Sequence, residues 1–274
     1  MDYLQYYGLN EHPFSNVVDN RFYYSSRQHT DALKKLRYAV DTRKGLAVVI
    51  GDIGTGKTTL ARRFLDEMPE SVYEAALLVV VHSSVSSEWL FRKFAIQLGV
   101  EKISDNKIEL LTQIYTRLNE IHQEGKKAVV MIDEVQMLNS QEIMEEFRGL
   151  LNMETTEGKL LNFIFFGLPQ LDSVLSLDEP LKQRVAIKIK FKEFSEEDTK
   201  DYISHRLSVA GARKAIFADD ALHLIYTYTK GVPRLINTVC DNALLEGFLS
   251  RANSIDALTV KTAAIDLGLS PESK

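Results

Sequence analysis

The 274-residue chain predicts an α/β fold, a parallel five-stranded sheet flanked by helices, followed by a small all-helical domain. Three observations lead there. Five apolar runs recur before residue 192, and four of them are apolar on both faces, as strands covered by helices on each side must be. Amphipathic stretches fill the intervals between the runs, which is the pattern of βαβ units. Past Phe191 the strand signals stop and only helical periodicity continues.

Taken in order, the strand runs are LAVVI (46–50), ALLVVV (76–81), AVVMI (128–132), NFIFF (162–166) and VAIKIKF (185–191). The segments SEWLFRKFAIQLG (87–99) and ELLTQIYTRLNEIHQ (109–123) carry apolar residues at helical spacing. Ser195 with Asp198 three residues on opens the helical part as a capping box, and helical patterns follow through DDALHLIYTYTK, RLINTVCDNALLEGFLSR and LTVKTAAIDLG. The expected domains are therefore 1–192, an α/β domain with an N-terminal lead, and 193–274, a helical domain whose SPESK tail frays. The lead is rich in tyrosine and phenylalanine, which are expected to pack it onto the core.

Composition removes several classes. Hydrophobic residues at 45% and charged residues at 26% are ordinary for a globular protein. The run AALLVVV (75–81) is far short of the roughly 20 residues of a membrane-spanning helix, and MDYLQYYGLN is no targeting segment, so a cytoplasmic protein without membrane insertion is expected. A single cysteine, Cys240, excludes an internal disulfide and reads as a small buried apolar residue, and the six histidines show no ligand spacing. With a formal charge of −5 the molecule is no polycation, so nucleic acid would have to be met by a local patch or by an assembly. KIKFK (188–192) puts three lysines on one face of a strand; protection of a sheet edge explains this better than a DNA-facing stripe.

Chemistry concentrates in two places. Gly51, Gly56, Lys57 and Thr58 satisfy G-x-x-x-x-G-K-[ST] between a strand and a helix, the context in which this motif holds phosphate. Asp52, Ile53, Gly54, Thr55 and Thr59 complete the cradle: glycines let backbone N–H groups turn inward, and the helix start adds its positive end. Lys57 is expected on the β and γ phosphates and Thr58 on Mg2+ through its hydroxyl. The second place is AVVMIDE, an apolar strand ending in two acids. Buried acids are costly without a cation or a reaction to serve, so Asp133 is expected in the metal shell and Glu134 on the attacking water.

These motifs, together with GVPRLIN in the helical part and the lead YYGLNEHPF…RFYYSSRQHTDALKKLRYAV, resemble the AAA+ ATPases of the ExeA/GspA secretion group over residues 6–249. The group includes shorter, MshM-like pilus-biogenesis ATPases and is related to the MuB, TniB and TnsC ATPases of DNA transposition. The resemblance implies an AAA+ core with a helical lid, ATP as the nucleotide, and Pro13 and Phe14 walling the base. It also implies Arg234 as the sensor-2 arginine on the γ-phosphate and Arg184 as an arginine finger completing a neighbour's site, with Arg148 an alternative for the finger. Where such ATPases place a polar sensor-1 residue, this chain reads FFGLPQL with Gly167 and Leu168, which implies that Glu134 lacks that partner and that hydrolysis is slow or requires another group.

The function expected from the whole is ATP binding and hydrolysis that drives assembly of a bacterial secretion or type IV pilus system, on a homo-oligomer formed with ATP and at the inner membrane through a protein partner. Two alternatives stand beside it: a DNA-binding ATPase regulating transposition target choice, and a slowly hydrolysing nucleotide-gated switch.

Overall fold

In the computed structural model, which describes residues 2–271, the chain begins with α1 (Tyr3–Tyr7) and α2 (Arg27–Asp41), then β1 (Leu46–Gly51), α3 (Lys57–Asp66) and β2 (Tyr73–Val79). Next come α4 (Ser87–Gln97), α5 (Lys107–Gln123), β3 (Lys127–Asp133) and α6 (Gln141–Leu150), then the short antiparallel pair β4 (Glu154–Thr155) and β5 (Gly158–Lys159). β6 (Leu161–Gly167), α7 (Leu171–Leu175), α8 (Glu179–Lys182) and β7 (Val185–Phe191) complete the sheet region. The helices α9 (Glu196–Val209), α10 (Asp219–Thr229), α11 (Pro233–Leu249) and α12 (Ala257–Asp266) end the described chain.

The chain divides into two compact units. One is Arg27–Ile53 with Lys57–Phe191, and the other joins the described parts of Met1–Ser26 and Lys192–Lys274 with Gly54–Gly56. Residues 272–274, the end of the segment expected to fray, lie outside the described residues.

The sheet unit has the strand order β2-β3-β6-β1-β7, all parallel. Side chains alternate between its two faces. On β1, Leu46, Val48 and Ile50 enter one core, with Leu90, Phe94, Leu118 and Phe147 of the helices, while Ala47 and Val49 enter another with Leu36, Leu60 and Phe64. β3 divides in the same way, with Val130 and Ile132 in the first core and Val129 and Met131 in the second. Two apolar faces demand helices on both, which is why these runs do not alternate. The edge strands differ. β2 begins three residues before its apolar run, at Tyr73, because an edge strand tolerates polar positions such as Glu74, which Lys126 meets at 3.7 Å. β7 lies at the other edge, with Lys188 and Lys190 exposed, Ile189 and Phe191 buried, and Lys188 paired to Asp172, as the edge-strand reading of KIKFK expects.

The helical unit has its own core. Ser195 caps α9 by accepting from the Asp198 N–H at 3.0 Å, and Cys240 on α11 is fully buried, with burial pushing its thiol well above the usual range. The lead, which the sequence assigns to the α/β domain, clusters here instead. Tyr3, Tyr7, Phe14 and Phe22 are buried with Phe194, Ile203, Ile236 and Leu244. A buried arginine, Arg206 on α9, holds the lead: it donates to the Pro13 carbonyl at 2.5 Å, the Ser15 carbonyl at 2.9 Å and the Tyr202 hydroxyl at 2.7 Å. The aromatic residues thus pack as expected, but on the helices. Among the described residues no helix is long and apolar enough to cross a membrane.

Candidate nucleotide and metal site

Because every strand of the sheet is parallel, Gly51, Asp133 and Gly167 all lie at one edge, the carboxyl ends where open α/β sheets bind ligands. β1 leaves that edge as a loop in which Gly54 and Gly56 adopt φ of +79° and +100°, a region that L side chains resist and glycine enters freely. The chain then enters α3 at Lys57, so the loop offers backbone N–H groups and the positive end of a ten-residue helix.

Lys57 is only 6% exposed, and its Nζ donates to the carbonyls of Gly51 at 2.8 Å and Asp52 at 2.9 Å. Phosphate oxygens are stronger partners for an ammonium than neutral carbonyls, so the charge is placed to exchange onto phosphate. Thr58 Oγ1 donates to Asp133 Oδ2 at 2.5 Å across 75 positions of sequence. Strand order makes this contact: β6 alone separates β1 from β3, two interstrand spacings of about 4.8 Å, so the first turn of α3 reaches the end of β3.

Asp133 is 1% exposed. Burial raises its carboxyl above the usual range, the Thr58 hydroxyl opposes that shift, and the adjacent Glu134 charge adds to it. A cation would relieve this cost. The hydroxyl and carboxylate oxygens are hard ligands that suit Mg2+ once phosphate oxygens and water complete its octahedron. Among the described residues no cluster of three or more His, Cys, Asp or Glu forms a metal cage built from protein alone. The residues present therefore fit a magnesium ion carried in with a polyphosphate.

Glu134 follows with φ +60° and ψ +37°, a left-handed conformation that costs a non-glycine residue on the order of 1 kcal/mol. It is held there because its N–H donates to Asp133 Oδ1 at 3.0 Å and its carbonyl accepts from Met137 N at 2.9 Å. Its carboxylate does have a partner, which the apolar Gly167–Leu168 position did not foretell: Gln136 Nε2 donates to Glu134 Oε2 at 2.5 Å, and Gln136 Oε1 accepts from the Leu168 N–H at 3.1 Å.

Arg184, between α8 and β7, donates through Nη1 to the Arg148 carbonyl at 3.0 Å and to Asn152 Oδ1 at 2.6 Å. Arg148 pairs through Nε with the buried Asp178 at 2.9 Å. In the helical unit, Arg234 is exposed in the first turn of α11, and its N–H donates to the Gly54 carbonyl of the same unit at 3.3 Å. A side chain at Gly54 would come within 3.0 Å of Arg234 Cβ and Val232 Cγ1. Pro13 and Phe14 are buried in the helical unit, Phe14 edge-on to Phe217, so the base wall expected at these two residues falls on side chains already packed.

The structure thus brings Lys57, Thr58, Asp133 and Glu134 together and ties Arg184 to the end of α6. Sequence reasoning missed Gln136 and Arg206. Gln136 carried a weak signal, a lone amide two residues after the acids; Arg206 carried none, because the lead carbonyls it holds lie 191 and 193 positions away.

Residues 40–175 match the family model described as an AAA domain. The chain is 32% identical over 97% of its length to General secretion pathway protein A of Aeromonas hydrophila, of which it covers 48%. It is 26% identical over 56% of its length to an uncharacterized HTH-type transcriptional regulator of Methanocaldococcus jannaschii, of which it covers 38%. The chain therefore spans about half or less of the length of the curated relatives it matches. Among solved structures, the Aeropyrum pernix ORC2 protein superposes with a TM-score of 0.69 at 15% identity, over 94% of this chain and 72% of that one. The Thermotoga maritima RuvB Holliday junction branch migration motor gives 0.61 at 18% identity, over 92% and 75%. At these identities the likeness shows the fold.

Proposed function

The chain has the AAA+ P-loop fold and is related along 97% of its length to General secretion pathway protein A; from that premise we propose that it binds ATP with Mg2+ and hydrolyses it to drive assembly of a bacterial secretion or type IV pilus system. The observation that carries the reading is the closure of Thr58 on Asp133, which joins the phosphate loop to the acid pair.

Mg2+, when bound, would supply charge neutralisation to the phosphates. Thr58 and Asp133 would hold it, and Lys57 would leave its two carbonyls for phosphate oxygens. Glu134 orients a water and takes its proton as the water oxygen bonds to the γ-phosphorus. The bond from that phosphorus to the β–γ bridging oxygen breaks, its electron pair leaves with ADP, and phosphate is released. Arg234 answers the γ-phosphate, and Arg184 completes the site of a neighbouring subunit in an ATP-dependent homo-oligomer. Its protein partner lies in the secretion or pilus machinery and brings it to the inner membrane.

Titration of the Lys57→Ala variant with ATP and Mg2+ in a calorimeter tests the premise of this chemistry. The expected result is loss of binding heat, with phosphate release falling to background. Wild-type affinity in that variant would remove the assignment of the loop.

A further inference from the structure

The end of β6 and the acid pair are joined by one side chain. Gln136 lies two residues past Glu134 in the 3₁₀ turn Val135–Met137, half-buried, and spans from the Glu134 carboxylate to the backbone N–H of Leu168. The direction of its amide is fixed by chemistry. An N–H at Leu168 needs the oxygen end, and a carboxylate that only accepts needs the nitrogen end, so only one of the two amide orientations satisfies both.

Gly167 makes the span feasible. Its φ lies outside the left-handed region, so the backbone does not demand glycine there; space does. A Cβ at Gly167 would lie 2.8 Å from Gln136 Oε1 and 2.9 Å from Leu171 Cδ2. A side chain at Gly167 would therefore displace the Gln136 amide or Leu171 from its present position.

We propose that Gln136 is the positioning residue for Glu134, doing from the turn after β3 what a polar side chain at the end of β6 would otherwise do. The inference deepens the hydrolytic reading above and rests on Glu134 being the group that activates water. An amide suits the task because it is neutral. It fixes the carboxylate by a hydrogen bond to Oε2 and brings no competing charge into the site. Its other end is anchored on main chain, so the carboxylate takes its orientation from the sheet and not from a mobile side chain.

Gln136→Met keeps the length of the side chain and removes the amide. Steady-state phosphate release is measured for the wild type, Gln136→Met, Glu134→Gln and the double variant, with ATP affinity and thermal midpoint measured on each. For Gln136→Met the expected result is a kcat about 10 to 100 times lower, the loss typical of a misplaced reacting group. ATP affinity stays within about twofold, since no binding group is touched. The double variant is expected to be no slower than Glu134→Gln alone, because both substitutions disable one unit. Gln136→Asn, too short to span both partners, should repeat the kcat loss should the methionine variant fold poorly.

Wild-type kcat in both Gln136 variants overturns the proposal, as does a double variant slower than Glu134→Gln by the full factor of the single change. A loss of kcat accompanied by an equal loss of ATP affinity and a lower midpoint would mark Gln136 as structural and overturn it too. If Glu134→Gln itself turned over at the wild-type rate, the hydrolytic assignment of Glu134 would fall, and this proposal with it. The four-way comparison separates that failure from the others.

Discussion

Two arginines compete for the role of a group supplied to a neighbouring subunit, and their surroundings predict opposite consequences of removing them. Arg148 Nε lies 2.9 Å from Asp178, whose side chain is 4% exposed, against 35% for the arginine. Asp178 also caps α8 by accepting from Leu181 N at 2.9 Å. Arg148→Ala leaves a buried carboxylate with that cap bond but no cation. Breaking a fully buried pair costs about 3–5 kcal/mol. The open side of Arg148 and the surviving cap bond reduce this to about 2–3 kcal/mol, or a midpoint lower by about 5–10 °C for a unit of this size.

Arg184→Ala gives up two hydrogen bonds, to the Arg148 carbonyl and to Asn152, at an accessible site where water replaces them, so about 1 kcal/mol or less is expected. If Arg184 acts in trans, the same change lowers turnover on the order of 10³-fold. Alanine at 148 retains the backbone carbonyl that holds Arg184, so the two effects separate cleanly. Thermal melts and steady-state phosphate release on both variants at matched subunit concentration are the assay. A midpoint falling as far for Arg184→Ala as for Arg148→Ala, or wild-type turnover in Arg184→Ala, would refute the reasoning.

Two further outcomes test the helical unit. Arg206→Met leaves the Pro13 and Ser15 carbonyls without their donor, while the Tyr202 hydroxyl keeps its bond to Asn237, so unfolding free energy should fall by about 2 kcal/mol and amide exchange of the lead should quicken; unchanged exchange around residues 13–15 would count against the clamp. Burial, then the Arg206 charge, lowers His205 below its ordinary value of 6.5. The folded state therefore binds fewer protons than the unfolded one just below pH 6.5, and stability is lost as pH falls through that value toward the lowered one. Across melts from about pH 7.5 to about pH 5.5, His205→Gln should lose less stability than the wild type; identical slopes would contradict this.

The sequence alone determined the sheet's central strands and marked both parts of the candidate site. Runs apolar on two faces have few other places to go, and a glycine-rich turn entering a helix at Lys57 has a local form that the sequence displays directly. Asp133 and Glu134 were legible for the same reason, since charge at the end of a buried strand is costly without a task. Everything that depends on distance along the chain was decided by tertiary structure. Strand order placed β6 alone between the loop and the acids and so closed Thr58 on Asp133. The lead went to the helices because the Arg206 donors that its carbonyls meet, and the apolar area that buries Tyr3, Tyr7 and Phe22, are assembled only once α9 and α11 have packed. Gln136 is the sharpest case: its residue type is unremarkable, and its meaning comes from a backbone N–H 32 positions away that only the folded sheet brings within reach. Local patterns report on burial and turns because these are set by neighbours in sequence, whereas hydrogen-bond partners across a sheet are set by topology.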